Sequence, residues 1–482
     1  MAGGDVRHSD MRSGRRVRRW SAGVVALVLV LAGISYAFDL GPRFLGWDYP
    51  SPVTEPAKVA PPPGLTLPSP SPAAAVAEAS PEGEVDPAAV RRAVARLLRD
   101  KDLGPRVALA VGQLSDGETV YDVGPDSVTP ASTMKMLTSV AALASLGPEH
   151  RFRTTVVAGA SPREVVLVGG GDPLLARTPD GDAYPPRADI VTLAKATARS
   201  LKKLGRVRVR LGYDTSLFSG PAESPAWRPT YVPDNVVSRI SPLWVDEGLE
   251  RESVFRAEDP ALGAAAEFAE VLEKQGIKVR GRPTPVVAAP EATEYAAVES
   301  APLAQIVQWV LEVSDNEGAE VLFRHVGIAE GRPGSFTGGA AGVRAVLGRL
   351  GVDASGDRIL DGSGLSRENR LSPETLLSVV EVAAQEEHPE LRRVLSGLPV
   401  AGFTGSLTYR FDTGDEEGLG AVRAKTGTLT GVHGLAGVVT DRDGNVFSFV
   451  AIADRVKPVN ELDARQRIDQ VAAALAACAC SA

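Results

Sequence analysis

The chain is poor in cysteine, in aromatic residues and in charge. It has two cysteines in 482 residues, 5% aromatic residues and 23% charged residues. Cys478 and Cys480 are separated by one residue near the C-terminus, a spacing that argues against an ordinary structural disulfide. Neither His nor acidic residues cluster near them as metal ligands would. We therefore predict a globular fold held together by packing of its apolar residues, which form 44% of the chain.

Positive charge and several catalytic signatures are also lacking. A formal net charge of −8 argues against a nucleic-acid-binding protein, because phosphate binding depends on concentrated Lys and Arg. The five histidines are scattered without an H-E-x-x-H motif, and no G-x-S-x-G turn occurs. The glycine run 169–171 lacks the G-K-S/T ending of a phosphate loop. The sequence therefore predicts no metal, no cofactor and no nucleic-acid partner.

A basic cluster and an apolar run stand at the start of the chain. The run from Ser21 to Phe38 has about 18 residues, enough for about 27 Å of helix, which just crosses a bilayer core. The arginines before it place that flank in the cytoplasm and the rest of the chain outside; they are Arg12, Arg15, Arg16, Arg18 and Arg19. Ser35-Tyr36-Ala37 would also suit signal-peptide cleavage. We predict an extracytoplasmic protein, either attached to the membrane by this segment or secreted after its removal.

Composition and periodicity divide the rest of the chain. Residues 50–81 are too rich in proline for helix or sheet and predict an extended tether. The predicted helices are 87–99, 131–146, 303–326 and 460–476, and the predicted strands are 106–114, 419–428, 434–440 and 446–453. Hairpin connections favour an antiparallel sheet, and the helices at both ends of this part could cover one of its faces. Short strands and loops between about 152 and 258 predict an inserted β-rich subdomain.

Three short motifs carry residues suited to acyl transfer. Ser132 and Lys135 are spaced i and i+3 at the start of a predicted helix, so they share one face. A lysine with a depressed pKa can accept the proton of a serine hydroxyl. Ser314-Asp315-Asn316 lies inside or at a break of the predicted helix 303–326. Lys425-Thr426-Gly427-Thr428 lies on a strand, where lysine offers a cation for a carboxylate and glycine permits close approach.

Each motif alone has an ordinary structural explanation, such as an N-cap serine, a polar turn or an edge strand. Their joint order, S-x-x-K then S-x-N then K-T-G, resembles the penicillin-recognising serine transferases, which include penicillin-binding proteins and serine β-lactamases. The long separation of Lys135 from Ser314 indicates an insertion. The chain further resembles the class C low-molecular-mass penicillin-binding proteins, the D-alanyl-D-alanine carboxypeptidase/endopeptidase family. This closer resemblance rests on Val168–Pro173, Tyr213–Phe218, Asp361–Arg367 and Gly402–Phe411.

The resemblance implies an α+β fold of the β-lactamase/transpeptidase type, an antiparallel sheet flanked by helices with a β-rich inserted subdomain. The implied division is 1–40 basic tail with anchor or signal peptide, 41–85 linker, 86–155 first part of the transpeptidase-like domain, 156–258 inserted subdomain and 259–482 second part.

The resemblance also implies a role for each motif residue. Ser132 would attack the D-Ala-D-Ala carbonyl, Lys135 would accept its proton and Ser314 would relay a proton to the leaving amine. The implied substrate-binding residues are Asn316 for the acyl-side amide, Lys425 and Thr426 for the terminal carboxylate, Gly427 and Thr428 on the oxyanion-hole strand, and Leu365, Arg367 and Thr430 for the stem side chain. A surface salt bridge is the alternative for Arg367.

We therefore predict a serine-type D-Ala-D-Ala carboxypeptidase that acts on peptidoglycan peptides through an acyl-enzyme and binds penicillin. A DD-endopeptidase activity, the type of stem peptide and the oligomeric state are left open. One alternative is a serine β-lactamase, against which the insertion and the lack of an E-x-x-L-N motif weigh. The other is a cell-wall-binding scaffold with an attenuated site, against which the three intact motifs weigh.

Overall fold

The computed structural model describes residues 84–114 and 117–480. The predicted membrane anchor or signal peptide and nearly all of the predicted linker lie outside the described residues. Within these ranges, no helix combines the length and the apolar character needed to cross a bilayer.

The described residues form ten α-helices and eleven β-strands. The helices are α1 (Pro87–Val94), α2 (Met134–Leu146), α3 (Ile190–Lys203), α4 (Pro260–Lys274), α5 (Leu303–Glu312), α6 (Asn316–Ala329), α7 (Phe336–Arg349), α8 (Pro373–Ala384), α9 (Arg392–Ser396) and α10 (Glu461–Ala476). The strands are β1 (Val107–Gln113), β2 (Thr119–Val123), β3 (Arg153–Ala158), β4 (Glu164–Val168), β5 (Arg208–Asp214), β6 (Lys278–Val279), β7 (Thr284–Pro285), β8 (Glu294–Glu299), β9 (Val422–Leu429), β10 (Val432–Thr440) and β11 (Val446–Ala453).

The first sheet has five strands in the order β2-β1-β11-β10-β9, and every neighbouring pair is antiparallel. The strand predicted over 446–453 is confirmed with the same bounds. The strand predicted over 419–428 begins at Val422, because a 3-10 turn at 416–418 is followed by a further turn at 419–421. Among the described strands, β9 lies at the edge of this sheet and has a neighbouring strand on one side only.

Both faces of the first sheet are buried, as strand β1 illustrates. Successive side chains of a strand point to opposite faces. Ala108 and Ala110 pack in the hydrophobic cluster that contains α2, α5 and α8, whereas Leu109 and Val111 pack in the cluster that contains α1 and α10. The prediction that the helices at both ends of this part cover one face is therefore confirmed.

The second sheet is mixed and larger than predicted. Its strand order is β6-β5-β4-β3-β8, with β7 also paired to β5; β4, β6 and β7 run parallel to β5, and β4 and β8 run antiparallel to β3. The sheet continues to Glu299, past the predicted boundary at 258. Helices α3 and α4 share a hydrophobic cluster with it, and Asp189 and Asp259 cap their N-termini. This part of the chain is therefore α/β in content, not only β-rich.

The sequence allows the S-D-N segment to lie either inside a helix or at a helix break. In the structure it lies at a break. The predicted helix 303–326 is two helices, α5 and α6, separated by residues 313–315. Ser314 has φ of 61°, a left-handed conformation that cannot continue a right-handed helix. Asp315 then caps α6 by accepting a hydrogen bond from the Gly318 N–H at 2.9 Å.

The prediction about the two cysteines is wrong. Cys478 and Cys480 form a disulfide, with their Cα atoms 5.0 Å apart. The chain has left α10 at Ala476, and two residues separated by one in a non-helical segment can project to the same side. Disulfides persist in oxidising compartments, so this bond fits a protein that works outside the cytoplasm.

Candidate active site

Ser132 lies in a 3-10 turn, Ala131–Thr133, directly before helix α2. Ala131 has φ of 47°, an unfavourable conformation for a residue with a Cβ, and such strain persists where the surroundings over-determine it. The Thr133 hydroxyl donates to the Pro130 carbonyl at 2.7 Å and holds the turn. The half-buried Ser132 side chain is thus presented at a fixed position at the N-terminal end of a helix.

Lys135 is fully buried, and its ammonium group has three hydrogen-bond acceptors. Nζ donates to Ser132 Oγ at 3.0 Å, to Asn316 Oδ1 at 2.8 Å and to the Ser363 carbonyl at 2.8 Å. Burial lowers the Lys135 pKa to about 8, although nearby carboxylates, Asp315 first among them, oppose the shift. A lysine with this pKa can accept a proton from a neighbouring hydroxyl near neutral pH.

The S-D-N segment brings Asn316 to the same place. Asn316 is the first residue of α6, and its side chain contacts Lys135 through Oδ1. Its Nδ2 group donates to the Val236 carbonyl at 3.4 Å, which connects the site to the long segment between β5 and α4. Ser314 lies two residues earlier, half-buried, in the left-handed turn.

The K-T-G segment lies on edge strand β9 and passes directly beside the Ser132 turn. A Cβ at Gly427 would lie 2.8 Å from the Pro130 carbonyl oxygen and 3.2 Å from Thr133 Cγ2. Distances this short exclude a larger side chain unless the turn moves. Glycine at this position therefore lets β9 approach the turn that carries the serine.

Lys425 is fully buried on β9. Its Nζ lies 3.3 Å from the Thr426 carbonyl oxygen and 3.5 Å from Thr426 Oγ1, and Thr426 Oγ1 is 2.9 Å from Ser406 Oγ. Burial, followed by the charges of Lys135 and Arg410, holds the Lys425 pKa well below its ordinary value. An anion bound here would relieve that repulsion, so the segment is suited to a carboxylate.

Of the remaining predicted residues, Thr428, Arg367 and Thr430 lie on or beside the end of β9, whereas Leu365 is buried. Thr428 is exposed on β9 opposite His433, and Arg367 donates from Nη2 to the Thr430 carbonyl, which brings two predicted pocket residues together. This partner of Arg367 is a backbone carbonyl, not the carboxylate of a salt bridge. Leu365 is only 6% exposed and packs in an apolar cluster with Trp227 and Phe336 among others.

Two buried carboxylates that we did not predict as site residues hold the loop that contacts Lys135. Asp361 accepts hydrogen bonds from Gly364 N and Asn369 Nδ2 on Oδ1, at 3.0 and 2.7 Å. On Oδ2 it accepts from Ser366 N at 2.6 Å and from Trp227 Nε1 at 2.8 Å. The D-G-S-G sequence belongs to the segment that carries the resemblance, but the sequence alone does not indicate that this loop forms the platform for Lys135.

Glu320 is the second of these carboxylates. It accepts from Gly362 N at 3.0 Å and from Ser363 N at 2.9 Å, so it orients the peptide whose carbonyl binds Lys135. Burial, and then the charge of Asp361, raises the Glu320 pKa to about 8. No sequence motif distinguishes this residue from an ordinary helix glutamate. Only its position one turn after Asn316 on α6 could have suggested that it faces the site.

The loop also contacts the Ser132 turn directly. Gly364 has φ of 85°, and a Cβ there would lie 1.8 Å from the Ala131 carbonyl oxygen. Glycine is therefore required by both the backbone conformation and the contact. The turn with Ser132 is held between this loop on one side and β9 on the other.

The fold and this arrangement define a penicillin-recognising serine enzyme: a helix-start serine beside a buried lysine, an S-x-N turn and a K-T-G edge strand. The chain belongs to the D-Ala-D-Ala carboxypeptidase 3 (S13) family, whose sequence profile matches residues 90–254 and 249–476. This result confirms the resemblance to class C low-molecular-mass penicillin-binding proteins.

Relatives and solved structures agree with this membership. The chain is 35% identical to Carboxypeptidase DacB of Mycolicibacterium smegmatis over 481 residues, which cover 97% of this chain and 99% of the relative. It is 27% identical to a D-alanyl-D-alanine carboxypeptidase of an Actinomadura species, covering 75% of this chain and 80% of the relative. The crystal structure of penicillin binding protein 4 from Haemophilus influenzae matches with a TM-score of 0.63 at 22% identity, covering 79% of this chain and 98% of that chain. The last match supports the predicted fold class.

Proposed function

We propose that this protein is an extracytoplasmic serine-type D-Ala-D-Ala carboxypeptidase that acts on peptidoglycan stem peptides and is acylated by penicillin. The observation that carries the proposal is the 3.0 Å contact of Lys135 Nζ with Ser132 Oγ, fixed by Asn316 and by the Ser363 carbonyl. Membership of the D-Ala-D-Ala carboxypeptidase family supports the choice of substrate. The intact lysine and serine pair argues against a scaffold with an attenuated site.

The first chemical step is acylation. Ser132 Oγ attacks the carbonyl carbon of the penultimate D-alanine while its proton passes to Lys135 Nζ. The backbone N–H groups of Ser132 and Thr428 stabilise the oxyanion, and loss of one such donor typically costs about 2.7–4 kcal/mol in other hydrolases. As the tetrahedral intermediate collapses, the C–N bond breaks and Ser314 relays the proton from the lysine to the leaving amine. The products are free D-alanine and an ester on Ser132.

The second step is hydrolysis of that ester. Water attacks the acyl carbon, gives up a proton to the neutral lysine, and the C–O bond to Ser132 breaks. The serine alkoxide takes the proton back from the lysine. This chemistry uses the residues of the three motifs.

Substrate binding follows from the charges around β9. Lys425 and Thr426 receive the terminal carboxylate. Its negative charge offsets the repulsion between the Lys425 ammonium group and the charges of Lys135 and Arg410. The joined Arg367 and Thr430 form one wall of the pocket for the stem side chain. The burial of Leu365 supports an indirect part for it, as packing beneath that wall.

We extend the proposal to the organisation of the chain. The N-terminal apolar run anchors the protein to the membrane or directs its export, and the proline-rich segment holds the enzyme away from the membrane. The chain contains an inserted subdomain, predicted over 156–258, and the second sheet, which runs from Arg153 to Glu299, supports extending its end beyond 258.

D-alanine release from a pentapeptide muropeptide tests the proposal. The full chain is compared with Ser132→Ala and with Ser355→Ala, which alters an exposed serine in the loop after α7. We expect release by the wild type and by Ser355→Ala, and none by Ser132→Ala. Equal release by all three proteins would refute the assignment of the nucleophile.

A further inference from the structure

Three carboxylates converge where the S-D-N segment meets the first turn of α6, and the proposed reaction uses none of them. One oxygen atom from each of Glu247, Asp315 and Glu317 lies within 4.8 Å of the other two. Asp315 and Glu317 flank Asn316, the residue that binds Lys135. Glu247 comes from a distant segment, the turn between β5 and α4. The cluster therefore joins the start of α6 to a part of the chain that is remote in sequence.

Asp315 gives the cluster an unsatisfied atom. The residue is only 8% exposed, and its Oδ1 accepts the capping hydrogen bond from Gly318 N. Among the residues that the structure describes, its Oδ2 has no hydrogen-bond partner. Buried polar atoms are nearly always paired, and leaving one unpaired is destabilising, most of all for a charged group. A partner from outside the chain would remove this cost.

Three cationic side chains, Lys135, Arg256 and Arg187, act on the cluster. Arg256 Nη2 lies 2.9 Å from Glu317 Oε1, which also accepts from Ser238 N. Arg187 is the other arginine that acts electrostatically on Asp315 and Glu247. Together with Lys135, these two arginines supply three cations for three carboxylates, yet none of the three hydrogen-bonds to Asp315 Oδ2. The three hydrogen bonds of the nearby Lys135 amine go to other groups, so Lys135 acts on Asp315 through its charge and not through a hydrogen bond.

The backbone holds Glu247 in this position at a conformational cost. Asp246, Glu247 and Gly248 have successive φ values of 49°, 55° and 79°. Left-handed residues that are not glycine are rare and normally occur singly. Asp246 is itself fixed by Arg177, through the Arg177 N–H at 3.0 Å and Nε at 3.0 Å. The turn that directs Glu247 towards α6 is therefore firmly constrained.

We propose that Glu247, Asp315 and Glu317 bind a hard divalent cation, Ca²⁺ or Mg²⁺. Carboxylate oxygens are the ligands that these ions prefer, and water completes their coordination where a protein supplies few ligands. Glu247 is only half-buried, which gives water access to one side of the site. The ion ties the start of α6, and with it Asn316, to the turn at 246–248. This proposal concerns a binding site and does not depend on the identity of the peptide substrate.

The test uses the full chain in detergent after removal of metal with EDTA. Ca²⁺ and Mg²⁺ are titrated separately by calorimetry, and Tm is measured with and without each ion. We expect saturable binding of one ion per chain by at least one of the two metals, with an ion-dependent rise in Tm. Mn²⁺ serves as a spectroscopic probe, whose electron paramagnetic resonance signal should change on binding and recover when the preferred ion displaces it.

The decisive variant is Glu247→Gln, with Glu250→Gln as its control. Glu250 is exposed on the same segment and lies outside the cluster, so its change should leave ion affinity unaltered. Glu247→Gln should weaken ion binding at least about tenfold, since it removes a charged ligand. Asp315→Asn should do the same while keeping the N-cap, because asparagine caps helices as well as aspartate.

Two results would overturn the proposal. One is the absence of saturable binding of either ion by the wild type at millimolar concentration. The other is equal ion affinity in the wild type and Glu247→Gln. Removal of like-charge repulsion should keep Glu247→Gln folded, and its Tm in EDTA checks this. A variant with higher Tm in EDTA, together with a wild type unaffected by ions, would mean that the carboxylates are neutralised by protons.

Discussion

Replacement of Asp361 by asparagine tests the inferred construction of the site. The Asp361 carboxylate accepts four hydrogen bonds, two on each oxygen, from Gly364, Asn369, Trp227 and Ser366. In Asp361→Asn, one oxygen becomes an NH₂ group that faces two donors. Hydrogen bonds to a charged acceptor contribute about 1.5–3 kcal/mol each, so loss of two predicts destabilisation by about 3 kcal/mol or more.

The same substitution should also slow acylation, because the loop that Asp361 holds positions Lys135. Displacement of the loop moves the Ser363 carbonyl, which lies 2.8 Å from Lys135 Nζ. If only about 1.4 kcal/mol of that disturbance reaches the transition state, acylation slows about tenfold. Stability is measured by denaturant unfolding, and acylation by the rate at which a fluorescent penicillin labels the protein.

Asp353→Asn provides the matched control. Asp353 is an exposed carboxylate that caps a loop by accepting from Ser355 N at 2.9 Å. We expect its change to alter stability by no more than about 0.5 kcal/mol and to leave acylation unchanged. An Asp361→Asn protein with near-wild-type stability and acylation would refute the view that this carboxylate holds the lysine platform.

Three further outcomes are expected. Burial places the Lys135 pKa at about 8, so the free amine increases as pH rises; the rate of penicillin acylation should rise from pH 6 towards a plateau above that pKa, and a rate that falls over this range would contradict the base assignment. Gly427→Ala puts a Cβ 2.8 Å from the Pro130 carbonyl oxygen; we expect acylation to fall at least about tenfold with the circular dichroism spectrum preserved, and undiminished labelling would show that β9 can move away at no cost. Arg367→Ala should raise KM for the pentapeptide severalfold with little change in kcat, and an unchanged KM would remove Arg367 from the pocket.

Local patterns predicted the parts of the fold that depend on local interactions. Strand β11 was predicted with its observed bounds, because a short, nearly continuous apolar run that follows a turn is typical of a buried strand without reference to distant residues. Helix α3 was missed, although Ile190, Leu193, Ala194, Thr197 and Leu201 form its buried stripe at helical spacing. The short strands on either side of it favour a β-rich prediction for that part of the chain.

The site was predictable only as far as its motifs extend. Ser132 and Lys135 are separated by one helical turn, so their contact follows from spacing alone. Glu320 and Glu247 carry no local sequence signal. Glu320 is placed in the site by its contact with Ser363, and Glu247 by its closeness to Asp315, and both of these neighbours are distant in sequence. The disulfide was not predictable from the sequence separation of the two cysteines, because it depends on the backbone conformation after α10.

The most direct test of the account is the position of the penicillin adduct. The full chain is incubated with benzylpenicillin, its intact mass is measured, and the labelled peptide is identified after proteolysis. We predict a single covalent adduct on Ser132, which is absent from Ser132→Ala and slowed in Lys135→Met. An adduct on another residue, or none on a folded protein, would contradict the assignment of Ser132 as the nucleophile.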